Sequence, residues 1–427
     1  MNKRILSIVL ALVMCLSMFA GCAATNNGDD QQASADYKIG IVTPTLTISE
    51  DEFRGAQEMV EKYPDIVVHK TLPEDYQNKE GCISVVTSLA DDPDVKYILF
   101  NMGMEGILPA FQTIREKRPD IVTIVTSNDD PELMNEYIDI SLSTDWVRRG
   151  VTIPTKAKEM GAEVFIHYSF PTHMASESKV QRRDMMKATC EELGMEFVEV
   201  ITPDPQTGNG KAAMLQFLRE DLPRQVEKYG NNINIFGTNC PMYDVILDEA
   251  FKLGFIVAEQ CCPTPTQTYP TVLNLEITEE DLGDYDKINQ MIADKAAEAN
   301  MTGRLSGWAM PSSVYTPQFQ VELAVYMHDN NLTPDDVRSV EFLNQFSKDH
   351  MTVAADFATA GEGLDNYFLF ILEDVYPSVD TQSRMPKSDL SLPGKVKLIP
   401  RKRPSFCPHC IWQNKNLIFA VMHVETG

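Results

Sequence analysis

Lys38-Ile39-Gly40-Ile41-Val42-Thr43 is an unbroken apolar run of strand length, and the alternation of helix and strand that it opens decides the fold. Ser49 and Glu52 form a capping box that opens a helix. Phe53, Ala56, Met59 and Val60 then recur at helical spacing until Pro64 ends the pattern. Residues 66–69 predict the next strand, and the same alternation yields strands over 95–100, 121–126 and 137–142. A helix carrying Ile83, Val86 and Leu89 and another over 107–118 lie between them. The series then restarts. A helix over 146–160, with Pro154 inside it, runs to Gly161, and strands over 164–167, 197–201, 233–236 and 255–258 alternate with helices over 176–193, 211–229 and 243–253. Continuously apolar strands alternating with amphipathic helices imply parallel sheets covered on both faces. Two series of similar size predict an α/β fold of two doubly wound parallel-sheet lobes with a cleft between them. Lobe 1 is expected at 37–144, completed by about 305–390, and lobe 2 at 145–304, with the junction near Ser143-Thr144-Asp145. After Cys262 the signal weakens: Pro263-Thr264-Pro265-Thr266 reads as a crossover, helices come next over 288–299 and 318–327, Thr333-Pro334 opens another, and 367–372 fits a strand or a helix.

The start of the chain has a different character. Met1-Asn2-Lys3-Arg4 is basic, residues 5–18 are apolar and uncharged, and Phe19-Ala20-Gly21 places small residues before Cys22. The apolar stretch is too short to span a bilayer and has the plan of a secretory signal. Phe19-Ala20-Gly21-Cys22 resembles a bacterial lipobox, with Phe19 where leucine is commoner. Residues 1–21 are therefore expected to be a lipoprotein signal peptide, Cys22 the lipidated residue, and the small polar residues 22–36 a flexible tether. Two or three acyl chains would hold the protein at the extracytoplasmic face of the cell membrane, where one alone binds weakly. Residues 395–427 hold a single acid, Glu425, beside Lys395, Lys397, Arg401, Lys402 and Arg403, and are read as a basic, disordered tail.

Charge and motifs narrow the function. The chain carries a net charge of −25, which repels nucleic acid. Its nine cysteines (Cys15, Cys22, Cys82, Cys190, Cys240, Cys261, Cys262, Cys407 and Cys410) have no regular spacing and make no disulfide scaffold. Thr43-Pro44-Thr45-Leu46 ends the first strand, so neither a dinucleotide fingerprint nor a phosphate loop is present there. No nucleophile elbow or metalloprotease helix occurs, and an enzyme is not expected. No metal or cofactor is expected either. Cys407-Pro408-His409-Cys410 is half of a zinc knuckle, and His167 and His173 lack further ligands. Adjacent Cys261 and Cys262 also have a redox or soft-metal reading, but neighbouring cysteines chelate poorly and a buried cysteine packs as a small apolar residue.

Val95-Lys96-Tyr97-Ile98-Leu99-Phe100 followed by Leu108-Pro109-Ala110, and Phe236-Gly237-Thr238-Asn239-Cys240-Pro241-Met242, resemble the third strand and the second-lobe strand end of sugar-type periplasmic binding proteins of the type I fold. Asp145 falls where their first interlobe crossover lies, and Arg182 where a helix arginine often touches ligand. His167-Tyr168-Ser169-Phe170-Pro171-Thr172-His173-Met174 is closer to a bacterial family of uncharacterised lipoproteins with that fold, and Cys240 stands in place of a usual ligand-binding aspartate. The resemblance implies a solute-binding protein that captures a small polar ligand between its lobes and delivers it to a membrane permease. A ligand receptor acting with a membrane sensor is the alternative; a transcription-regulator effector domain and a surface enzyme rank below it. In open parallel sheets ligands sit beyond the carboxyl ends of the strands. The candidate ligand-binding residues are accordingly Thr43, Asn101, Asn128, Asp145, His167, Tyr168, Arg182, Asn239 and Glu259.

Overall fold

The computed structural model describes residues 36–375, apart from Glu105, residues 127–130 and Glu362. The expectations for the signal segment, Cys22, the basic tail and Asn128 lie outside the described residues. The first series folds as β1 (Lys38–Thr43), α1 (Glu50–Lys62), β2 (Val67–Thr71), α2 (Lys79–Thr87), β3 (Val95–Asn101), α3 (Leu108–Lys117), β4 (Val122–Thr126), α4 (Pro131–Met134) and β5 (Ile140–Thr144). The second comprises α5 (Arg149–Glu159), β6 (Val164–Ser169), α6 (Pro171–Met174), α7 (Glu177–Glu192), β7 (Glu196–Ile201), α8 (Gly210–Tyr229), β8 (Ile233–Gly237), a 3-10 turn at Cys240–Met242 and α9 (Tyr243–Leu253). Beyond it come α10 (Tyr269–Leu273), α11 (Tyr285–Glu298), β9 (Gly307–Trp308), α12 (Ser312–Asp329), α13 (Pro334–Val337), α14 (Val340–His350), β10 (Ala355–Thr359), β11 (Tyr367–Leu372) and β12 (Asp374–Val375).

Seven strands form the first sheet in the order β10-β11-β5-β4-β3-β1-β2. All its pairings are parallel except β10 with the edge-adjacent β11. Residues 38–144 and 355–372 thus share one sheet. The second sheet is β7-β6-β8, all parallel. Single parallel bridges, Asn234 with Ile256 and Val257 with Leu305, extend it beyond β8. The two sheets have separate cores: Val42, Ile98, Phe100, Phe111 and Ile114 in the first, and Ile166, Leu218, Ile235, Ile246 and Ile292 in the second. The central strands β3, β6 and β8 are buried on both faces, which is why their sequences are apolar almost throughout rather than alternating.

Three local details refine the sequence reading. β5 begins at Ile140, not 137. Asp139 accepts from the Thr123 backbone N–H at 2.7 Å and pairs with Arg115, which closes the turn ahead of the strand. Within residues 255–258 only Ile256 and Val257 form isolated bridges rather than a full ladder, and Ala258 N–H donates to the Asn234 side chain. Residues 367–372 resolve as the strand β11, lying beside β5. One glycine sets the helix packing of the second lobe. A Cβ at Gly150 would lie 2.6 Å from both the Arg182 carbonyl oxygen and the Met185 Cβ, so only glycine lets α7 lie against α5.

Candidate functional site

Three segments join the two sheets. β5 ends at Thr144, and the chain passes through Asp145 into α5. Leu305 bridges Val257, and the chain then passes through β9 to α12, which packs on α1, β3 and β1. β11 leads to β12, which pairs antiparallel with β9. All three segments leave from strand carboxyl ends.

Arg149, fully buried at the start of α5, fastens this junction. Its Nε donates to Glu259 Oε1 at 2.6 Å, its Nη1 to the Cys261 carbonyl at 2.8 Å, and its Nη2 to the Gln260 carbonyl. The Trp146 and Trp308 rings lie 5.0 and 5.4 Å from the guanidinium, so cation–π attraction adds to a charge pair removed from water. Lys156 Nζ pairs with Asp374 Oδ2 at 3.1 Å. Burial pushes the Asp374 carboxyl up to about 7, and the neighbouring Glu259 adds to that rise. Asp145 accepts from the Arg148 backbone N–H at 2.9 Å, and Arg148 Nη1 reaches Asp356 on β10 at 2.6 Å. Asp145 therefore orients the first crossover.

The polar residues at the strand ends of the first lobe bond to one another. Thr43 Oγ1 donates to the Pro44 carbonyl and lies 2.8 Å from His69 Nε2. Asn101 donates to Gln320 Oε1 at 2.8 Å and accepts from Thr126 Oγ1 at 3.1 Å, and Gln320 donates to the Ile124 carbonyl. This buried network ties β3 and β4 to α12.

The second lobe presents a different chemistry. Ser169, Thr238 and His173 form a hydrogen-bonded chain, with the His173 ring stacked 4.0 Å from Phe170. Asn239 is 2% exposed, and its Oδ1 has no hydrogen-bond partner among the described residues. Arg182 lies buried over the Phe236 ring, 5.3 Å from its centroid, and its Nε is likewise unpartnered among them. Burial lowers its affinity for a proton, while Cys261 and Cys262 favour its charge. The Cys240, Cys261 and Cys262 sulfurs all lie within 4.8 Å of one another. Hydrogen bonds from the Cys240 and Cys262 thiols, with the charges of Arg182 and Arg149, hold the Cys261 thiol well below the usual thiol range.

Two of the residues nominated from the sequence are held inside the second lobe. The Tyr168 hydroxyl donates to Asp221 on α8 at 2.8 Å. His167 lies inside β6 between the Phe197 and Phe236 rings, with neither ring nitrogen bonded to a described residue, and burial depresses its pKa to about 3. Thr43, Asn101, Asp145 and Glu259 are at strand ends or crossovers but bond within the protein, whereas Arg182 and Asn239 hold polar atoms unpartnered among the described residues. Sequence reasoning misses Arg149, Trp308, Gln320 and the meeting of Cys240 with Cys261 and Cys262. The one local signal is Trp146-Val147-Arg148-Arg149, an arginine pair beside a tryptophan directly after the crossover.

Residues 37–306 match a family described as "Protein of unknown function (DUF3798)". The chain belongs to this family. A Treponema pallidum (strain Nichols) protein named only as uncharacterized is 33% identical over 206 residues, 46% of this chain and 93% of that protein. Among solved structures, a Clostridium difficile 630 protein bearing a provisional transcriptional-regulator name is similar at 36% identity. That match has a TM-score of 0.76 and covers 80% of this chain and 99% of the other. A sugar ABC transport substrate-binding protein from Bordetella parapertussis 12822 aligns at 12% identity and a TM-score of 0.43, over 79% of this chain and 88% of its own. The family's fold in this chain is α/β, with two separate sheets whose strands pair almost entirely in parallel.

Proposed function

We propose that this protein is a lipid-anchored extracytoplasmic solute-binding protein that closes its two lobes on a small polar ligand and delivers it to a membrane permease. The fold is one that serves solute binding. The observation that carries the reading is that Asn239 Oδ1 and Arg182 Nε, in the second lobe, are among the buried polar atoms left unpartnered by the described residues. A buried polar group left unpaired costs roughly 1–3 kcal/mol, and a ligand that supplies the partner recovers it. Asn239 offers an acceptor and Arg182 a cationic donor, which together suit a solute carrying both a hydroxyl or amine and a carboxylate or other oxygen acceptor. No catalytic step is assigned to them.

Native mass spectrometry of the mature protein tests capture: a co-purified small molecule, lost in both Arg182→Ala and Asn239→Ala, supports the reading. Unchanged retention in both variants rejects this pocket. Anchoring is tested separately by Cys22→Ala, which should release the protein from the membrane fraction; retention there refutes the lipid anchor. The regulator name of the Clostridium difficile protein favours a second reading, a ligand-sensing role on the same fold. A net charge of −25 opposes direct contact with DNA, so the sensing form would act through a membrane partner.

A further inference from the structure

We propose that Cys240, Cys261 and Cys262 form a three-sulfur site for one thiophilic d10 cation, Cu(I) or Zn(II), in the second lobe. The three sulfurs come from two separate segments. Cys240 lies beyond β8 in the 3-10 turn, and Cys261 and Cys262 lie beyond the bridge-forming residues 256 and 257. Their convergence within 4.8 Å is therefore made by the sheet and not by a single loop. A cation with metal–sulfur bonds of about 2.3 Å places its ligands roughly 4 Å apart, which this triangle accommodates. The Cys240–Cys262 edge is 2.9 Å, so the ion would spread it by about 1 Å. Cys262 is half-buried and provides the movable ligand and the way in.

Donor type and charge point the same way. An all-sulfur set selects soft cations over Mg(II) or Ca(II). Three thiolates around a divalent ion carry one net negative charge, and binding releases the thiol protons to solvent. The buried Arg182 guanidinium, which interacts with both Cys261 and Cys262, supplies the opposite charge. Arg149 also acts on Cys261, but its formal charge is already paired with Glu259. A Cys240–Cys262 disulfide would account for only two of the three sulfurs. The site does not depend on solute capture, and it is read on solute-free protein.

The test is anaerobic titration of the reduced mature protein with Cu(I) and, separately, Zn(II), each against a competing chromogenic chelator. Thiol alkylation mapped by peptide mass spectrometry accompanies each titration. The expected result is one equivalent bound per chain, with Cys240, Cys261 and Cys262 protected and Cys82 and Cys190 unaffected by the ion. The tighter of the two titrations identifies the cation. Arg182→Ala should weaken binding about tenfold, and Cys261→Ser should abolish it. Mapping on the unmutated protein decides the matter even where Cys261→Ser fails to fold. Absence of stoichiometric binding of either ion, or binding that leaves the three thiols alkylated as fast as before, overturns the proposal. So does a Cys240–Cys262 disulfide that persists in the reduced preparation.

Discussion

Two polar clusters near strand ends, one in each lobe, differ in how fully their atoms are paired. In the first lobe Asn101, Thr126 and Gln320 satisfy one another and lock β3 and β4 to α12. In the second, Asn239 Oδ1 and Arg182 Nε have no hydrogen-bond partners among the described residues, and three sulfurs crowd beside them. A satisfied network stabilises a rigid wall, whereas an unsatisfied one is costly unless something external completes it. Asn101 at the end of β3 is thus tied into the structure, whereas Asn239 just beyond β8 keeps an acceptor unpartnered among the described residues.

This division between lobes is most severely tested at the junction. Arg149→Ala leaves Glu259 buried without its cation and should destabilise the protein by about 3–5 kcal/mol, seen as a large fall in the thermal midpoint. A fall no greater than that of a surface variant such as Arg224→Ala would mean the junction is not fastened by this pair. Asn101→Leu removes a partner from both Thr126 and Gln320, and should cost about 1–3 kcal/mol while leaving the affinity of second-lobe ligands unchanged. Chemical denaturation and calorimetric titration read the two quantities, and a loss of affinity would erase the proposed division. Asn239→Ala should do the reverse, weakening the retained solute about tenfold, near 1.4 kcal/mol, with a smaller change in stability than Asn101→Leu.

The smallest effect at neutral pH is expected from His167→Phe. His167 is neutral when folded, its pKa being depressed from 6.5 to about 3, whereas the unfolded chain takes up a proton below 6.5. Its contribution is fully present above pH 6.5 and is lost as pH falls from 6.5 towards 3. Phenylalanine, packed between Phe197 and Phe236, should leave stability at pH 7 nearly unchanged and reduce the loss on acidification to about pH 5. Thermal midpoints of both proteins at the two pH values check this, and equal acid losses would refute it.

Much of the fold is legible in the sequence because parallel strands buried on both faces carry few polar residues to blur their limits, as in 38–43, 95–101 and 233–237. Boundaries fail where a side chain ends a turn, as Asp139 does before β5, or where a strand makes only single bridges, as at 256 and 257. The candidate site is legible in part. Residues after strand ends can be named from sequence, but whether Tyr168 turns towards Asp221 or the cleft depends on which face of β6 each lobe helix covers.

The one-dimensional pattern specifies two series of parallel strands, an acidic composition and a set of strand-end candidates, since periodicity and composition are local properties. The packed fold alone settles which polar atoms stay unpaired, that Arg149 joins the first crossover to Glu259, and that Cys240 meets Cys261 and Cys262. Those outcomes depend on contacts between residues about twenty to a hundred positions apart, and close packing rather than spacing along the chain sets such contacts.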